Sequence, residues 1–128
     1  MKLLLDTHLL IWSVSDLKRL TLPTRRLLED EENELFFSVV SLWEIGVKRA
    51  LKRDDFNFDP HLLRGVLLSE GFTELQVSAE HVLAVDRLPP LHRDPFDRLL
   101  LCQTLVEGLT LLTKDERILK YPVSVRRQ

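Results

Sequence analysis

Four acids in this chain stand where side chains from distant segments can meet. Asp6 directly follows the apolar run Lys2 to Leu5, and Asp115 stands two residues beyond Leu112-Thr113, the end of another such run. Glu44 shares a helical stripe with Val40, Val47 and Leu51, and Asp97 shares one with Leu100, Leu101, Thr104 and Leu105. In an open parallel sheet, ligands bind beyond the carboxyl ends of the strands, so acids at those ends converge on a crevice. Carboxylates brought together repel, and each raises the pKa of the others unless a cation sits among them. Oxygen donors with no Cys or His cluster select a hard ion, Mg²⁺ or Mn²⁺, that retains several waters. Such an ion orients a phosphodiester, lowers the pKa of water and stabilises charge on phosphorus and the leaving oxygen. Hydrolysis of a nucleic-acid backbone is the chemistry this donor set points to.

Each acid also has a plainer reading. Asp6 and Asp115 suit the N-caps of the helices that follow them. Ser41-Leu42-Trp43-Glu44 has the pattern of a capping box, and Lys48 lies one turn beyond Glu44 as a possible ion pair. Asp97 in a first helical turn is favoured by the helix dipole, by about 0.3–1 kcal/mol. A dipole explains an exposed Asp97 but not one backed by leucines. A carboxylate on the apolar stripe of Glu44 needs a partner, since uncompensated burial of charge is expensive. With four acids on four separate segments, coincidence is the weaker account.

The elements that must hold them follow from periodicity. Apolar runs predict strands at Lys2 to Leu5, Glu34 to Phe37, Thr73 to Val77 and Leu109 to Leu112. The first and last are apolar throughout, as in parallel strands covered on both faces by helices. Helical patterns fill the intervals: His8 to Val14, Pro23 to Glu31, a helix through Val40, Trp43, Val47 and Leu51 ending near Arg53, His61 to Glu70, and Ser78 to Val85. A last long helix runs from Pro95 to Glu107, with Asp94 as N-cap, Pro95 at the first helical position and Gly108 as C-cap. Strands alternating with helices predict an α/β layer fold on a mostly parallel sheet.

Composition narrows the function classes. The 128 residues make one domain of 1–128, 45% apolar, with 18 Lys and Arg against 20 Asp and Glu. The net charge of −2 excludes a bulk polycation, so nucleic-acid binding has to come from local clusters such as Lys48, Arg49, Lys52 and Arg53, with Lys114, Arg117, Arg126 and Arg127. A lone Cys102 excludes a disulfide framework and suits a reducing compartment. No apolar run approaches the ~20 residues of a membrane helix, and Met1-Lys2-Leu3-Leu4-Leu5 meets Asp6 too soon for a signal peptide. The cytoplasm is the expected location. Trp12 and Trp43 are expected in the core, and His8 and His92 as hydrogen-bonding partners of nearby carboxylates. The helix with Leu62, Leu63, Val66, Leu67 and Leu68 is apolar over too wide an arc for one core face, which suggests cover by a partner.

Taken in order, Leu5-Asp6-Thr7-His8 with Leu10-Ile11-Trp12, Ser38 through Ser41-Leu42-Trp43-Glu44-Ile45 with Lys48, His92-Arg93-Asp94-Pro95-Phe96-Asp97-Arg98-Leu99-Leu100, and Leu112-Thr113-Lys114-Asp115 carry a further signal. In that order they resemble the PIN-domain nucleases, and within them the VapC-like toxins of bacterial toxin–antitoxin pairs. The likeness spans nearly the whole chain. It implies a PIN-like three-layer fold with about five strands, the fifth falling at Val123 to Val125. It also implies that Asp6, Glu44, Asp97 and Asp115 form an acidic pocket in which Asp6 and Asp97 bind Mg²⁺. Asp97 takes the ligand role because it faces inward, which leaves Asp94 as N-cap or support. Thr7 and Thr113 carry hydroxyls beside those ligands, to hold water or a phosphate oxygen or to cap. The resemblance further implies endoribonuclease activity, a small antitoxin as inhibitor, and a homodimer.

Two other classes share parts of this pattern. A receiver-like phosphoacceptor or an aspartate-nucleophile phosphatase also keeps acids and Mg²⁺ at strand ends. The phosphatase wants a second Asp two residues after the nucleophile, where His8 stands, and the receiver wants an acidic pair at the first strand. A non-catalytic RNA- or protein-binding module of the same fold is the third reading, and retention of all four acids speaks against it.

Overall fold

Leu3, Leu4 and Leu5 are each fully buried, yet they belong to two different cores. Side chains alternate along a strand, so a strand that is apolar at every position needs cover on both faces. In the computed structural model, which describes residues 1–128, Leu3 and Leu5 pack with Leu9, Leu10, Phe37 and Leu63. Leu4 faces the other way, onto Leu100, Leu101, Leu111 and Ile118. The result is three layers, helix on sheet on helix.

The strands are β1 (Lys2–Leu5), β2 (Glu34–Ser38), β3 (Thr73–Leu75), β4 (Thr110–Thr113) and β5 (Val125–Arg127), and the helices are α1 (Thr7–Ser15), α2 (Leu22–Glu29), α3 (Val39–Ala50), α4 (Pro60–Ser69), α5 (Ala79–Leu83), α6 (Pro95–Glu107) and α7 (Glu116–Leu119). Single 3₁₀ turns fall at Leu17–Arg19, Asp54–Phe56 and Ala84–Arg87. All strand pairs are parallel, in the order β3-β2-β1-β4-β5. From β1 the chain goes outward on one side to β2 and β3, and later returns on the other side to β4 and β5. The strand order therefore reverses between β1 and β4, and the crevice beyond their carboxyl ends is the ligand position of such a sheet. Pairing of Leu5 with Leu112 sets Asp6 beside Thr113.

The α/β class, the parallel sheet and the long last helix agree with the sequence expectation; several boundaries do not. β3 stops at Leu75 rather than Val77, and β5 runs from Val125 to Arg127 rather than from Val123 to Val125. The expected helix from Ser78 to Val85 is α5 followed by a 3₁₀ turn. α3 ends at Ala50, because Lys52 turns the chain with a φ of 60°. Its buried face also differs from the expected stripe. Val40, Ser41, Glu44 and Ile45 point inward, whereas Trp43, Val47 and Leu51 are 56%, 37% and 71% exposed. Trp43 is thus a surface residue packed edge-on against Phe96, and Trp12 alone of the two tryptophans joins the core. On α4, Leu63 and Leu67 are buried and Leu62 and Leu68 remain exposed.

The left-handed turn at Gly108, with φ 65° and ψ 38°, closes α6 and feeds β4. A Cβ there would meet nothing within 4 Å, so the penalty of a side chain is conformational alone. Gly108→Ala should cost about 1–2 kcal/mol in urea unfolding with an unchanged slope, the price of a left-handed L-residue.

Candidate active site

Asp6 ends β1 and caps α1. Its Oδ1 accepts from the Leu9 N–H at 3.0 Å, and its Oδ2 accepts from the Thr113 hydroxyl at 2.5 Å. The Thr113 oxygen in turn accepts from the Asp115 N–H at 3.0 Å, so one hydroxyl ties the ends of β1 and β4 together. Asp115 caps α7 and is gripped by Arg117, whose guanidinium donates to both carboxylate oxygens at 3.2 and 3.0 Å. The capping reading is therefore correct for both acids, and so is the placement on a crevice. The helix that Asp115 caps, α7, is only one turn long.

Glu44 lies on the buried face of α3 and is only 3% exposed. The Thr7 hydroxyl, 2.9 Å from Ser41 Oγ, donates to Glu44 Oε1 at 2.5 Å. Lys48 donates to Glu44 Oε2 at 2.5 Å and to Asp94 Oδ2 at 3.2 Å. The expected Glu44–Lys48 pair forms, but the expected capping box does not. Ser38 is the N-cap of α3, which leaves Ser41 and Glu44 inside the helix with side chains turned to α1. Thr7 thus holds a carboxylate rather than capping.

Asp94 caps α6 through Oδ1, which accepts from the N–H groups of Phe96 at 2.8 Å and Asp97 at 3.3 Å. Pro95 occupies the first helical turn, where its missing N–H leaves nothing unpaired. One turn in, Asp97 Oδ2 lies 2.8 Å from His92 Nε2. A cleft of about 500 Å³ is lined by Asp6, Glu44, Asp97 and Asp115, together with Thr7 and Asp94. Lys48, Arg53, Lys114 and Arg117 ring the same cleft, while Arg49, Lys52, Arg126 and Arg127 lie outside it. His8 stands at the rim, hydrogen-bonded to Asp55 at 3.2 Å and packed on Phe56 with ring centroids 4.7 Å apart. A separate apolar hollow of about 350 Å³, between α1, α2 and α4, holds none of these acids.

Crowding shows in the electrostatics. Burial, then the nearby charges of Asp94, Glu44, Asp6 and Asp115, push the Asp97 carboxyl up to about 8. Burial also raises Asp6, against hydrogen bonds from Thr113 and Leu9. Asp115 moves the other way: burial opposes its charge, but the Arg117 hydrogen bonds outweigh burial and hold it below the usual carboxylate range. For Lys48, burial disfavours the ammonium, and its bonds to Glu44 and Asp94 prevail and raise its pKa. Lys48 neutralises the Glu44 and Asp94 side of the cleft, whereas no Lys or Arg forms a salt bridge with Asp6 or Asp97. An all-oxygen donor set with one uncompensated side fits a small hard cation.

One family model, described as the PIN domain, matches residues 3–123. The chain belongs to that family. PIN domains are nucleases that act on nucleic acids. No curated protein matches by sequence. Among solved structures, the VapBC2 complex of Rickettsia felis, bound to a DNA fragment from its promoter, is similar with a TM-score of 0.70 at 15% identity, covering 100% of this chain and 99% of the other. DNA-bound VapBC from Salmonella typhimurium gives 0.66 at 16% identity over 99% and 98% of the two chains. VapBC-1 from nontypeable Haemophilus influenzae gives 0.58 at 17% over 100% and 97%. These likenesses extend the shared fold across the entire chain.

Within this PIN domain, one residue on the cleft, Asp55, had no clear signal in the sequence: it reaches the rim on a 3₁₀ turn, a position that no periodicity marks. His92, expected as a hydrogen-bonding partner of a nearby carboxylate, meets Asp97 from the irregular segment before α6. The four acids and Thr7, Asp94 and Thr113, by contrast, all stand on the cleft or directly against its carboxylates.

Proposed function

We propose that this PIN domain is the toxin of a toxin–antitoxin pair, an endoribonuclease that hydrolyses RNA phosphodiester bonds with Mg²⁺, or Mn²⁺, as cofactor. The observation that carries the reading is the meeting of Asp6, Glu44, Asp97 and Asp115, from four separate segments, on one cleft where the strand order reverses. Asp6, which is buried, and Asp97, which is partly buried, are the proposed metal ligands, as acids of the cleft that no Lys or Arg neutralises. When bound there, the cation supplies Lewis acidity toward water and a phosphoryl oxygen. The chain's own groups do the positioning. Thr113 locks the Asp6 carboxylate, Thr7 and Lys48 lock Glu44, and Asp94 fixes the first turn of α6 and with it the backbone of Asp97. Asp115, kept ionised and fixed in orientation by the Arg117 guanidinium, is the fourth acid of the cleft. Lys114, Arg117 and Arg53 at the rim attract the RNA backbone while the acids below repel it, which holds a phosphate at the mouth.

A small antitoxin protein and a second copy of the chain are the proposed partners. The VapBC complexes share the fold, and Trp43, Leu51 and Leu62 are large apolar side chains left exposed, which a partner could cover. No helix is long and apolar enough to cross a membrane, and the cytoplasm is the proposed location.

Purified protein with Mg²⁺ should cleave a structured RNA, and EDTA should stop it. Mapping of RNA 5′ ends after induced expression should show new, discrete termini. Growth arrest with unchanged RNA ends would replace the nuclease reading with a binding module, and transfer of phosphate onto an aspartate from a small phosphodonor would favour the phosphoryl-transfer class.

A further inference from the structure

We propose that His92 is a positioning residue for the nuclease reaction: its Nε2–H donates to Asp97 Oδ2, fixes one carboxylate rotamer and leaves the other oxygen facing the cleft. The inference rests on the reading of Asp97 as a metal ligand. The ligand atoms of His92, Asp94 and Asp97 lie within 4.8 Å of one another, an arrangement that could also be a metal site in its own right. The hydrogen bonds decide against that. The His92 nitrogen nearest the acids is spent on Asp97 at 2.8 Å. Both oxygens of Asp94 are engaged, Oδ1 by the N–H groups of Phe96 and Asp97 and Oδ2 by Lys48. What remains open toward the cleft is Asp97.

His92 can orient another group because its backbone is held and its side chain is buried. Its backbone N–H donates to the Tyr121 hydroxyl oxygen at 2.8 Å. Arg98 donates to that same oxygen at 3.1 Å and to the Pro89 carbonyl at 3.0 Å, bracing the irregular segment before α6 from both sides. Tyr121 is 3% exposed and His92 is 8% exposed, so solvent does not compete for these bonds. A carboxylate free to rotate gives up that freedom each time a cation binds. Hydrogen-bonded supports of metal ligands remove that loss, and their removal typically costs about 10–100-fold in metal affinity.

The experiment is Mn²⁺ binding to the whole protein, followed by calorimetry and by the electron paramagnetic resonance signal of free Mn²⁺, with folding checked by circular dichroism. His92→Leu should weaken Mn²⁺ binding by about 10-fold or more. His92→Gln, which keeps an N–H donor, should recover most of that loss. Tyr121→Phe removes only the anchoring hydroxyl and should weaken binding in the same direction, which keeps the inference testable if His92→Leu does not fold. In an Asp97→Asn background, His92→Leu should add nothing further. Unchanged binding in folded His92→Leu, or a loss that adds in full to that of Asp97→Asn, overturns the positioning role. Wild-type Mn²⁺ affinity in Asp97→Asn itself overturns the metal-site reading beneath it, a result distinct from the other two.

Discussion

Asp6→Asn and Asp97→Asn should each lower RNA cleavage by at least about 10²-fold, the size of effect seen when one member of a catalytic unit is removed. Asparagine keeps the shape and removes the charge. At Asp6 the change need not break the cap of α1, because the amide oxygen can still accept from Leu9. What disappears is the anionic oxygen held by Thr113, on the side of the cleft that no Lys or Arg neutralises. At Asp97 the amide can still meet His92, so the fold should survive. The double variant should lose little more than either single one, since groups that act through one cation fail together. Cleavage of one RNA by wild type and both variants at equal rates would locate the activity elsewhere or in a contaminant. A circular dichroism spectrum shared by all three proteins excludes unfolding as the cause of a loss.

The distinction between cap and site, open for every acid in the sequence, dissolves in the structure. A strand end in a parallel sheet is also a helix start, so an acid there can cap with one oxygen and use the other on the crevice, as Asp6 does with Leu9 and Thr113; Asp94 divides its oxygens in the same way at the start of α6, with no strand before it. For this reason the sheet and the acids were legible from the sequence. Apolar runs at Leu3 to Leu5 and Leu111 to Leu112 need two covered faces, and Asp6 and Asp115 stand just past the ends of those strands, while Glu44 and Asp97 were marked by their place among apolar residues of a helix. Less legible was the rotation of α3. Val40, Trp43, Val47 and Leu51 repeat with helical spacing, but the buried face carries Ser41 and Glu44, because on this side α1 offers the polar Thr7 in place of an apolar floor. Periodicity reports an apolar stripe and cannot tell core from exposed surface. For His92 a bond to a nearby carboxylate was legible, but not which acid it would meet: the contact with Asp97 depends on a segment without repeating backbone geometry, anchored by Tyr121 from the far end of the chain.

In the metal-free protein, Asp97→Asn should raise the melting temperature, and by more at pH 9 than at pH 5. Asp97 in the folded state holds its proton up to about 8, whereas in the unfolded chain it releases it near its ordinary 3.8. Between those values the folded state binds more protons than the unfolded state, so stability falls as pH rises, and the full penalty stands above about pH 8. At one unit for each ~1.4 kcal/mol, the penalty is on the order of several kcal/mol. Asparagine cannot ionise, and the variant escapes the penalty, so the two melting curves should nearly meet below pH 4 and diverge toward pH 9. Mg²⁺ should act on the wild type in the same sense, since a cation among these carboxylates favours the ionised form that burial and Asp94 oppose. Its stabilisation should therefore grow with pH, with a proton released on binding near neutrality, and should be small in Asp97→Asn. Parallel melting profiles for wild type and variant from pH 5 to pH 9 would mean that Asp97 ionises freely in the folded protein. The crowding of carboxylates in the cleft would then be too weak to recruit a cation.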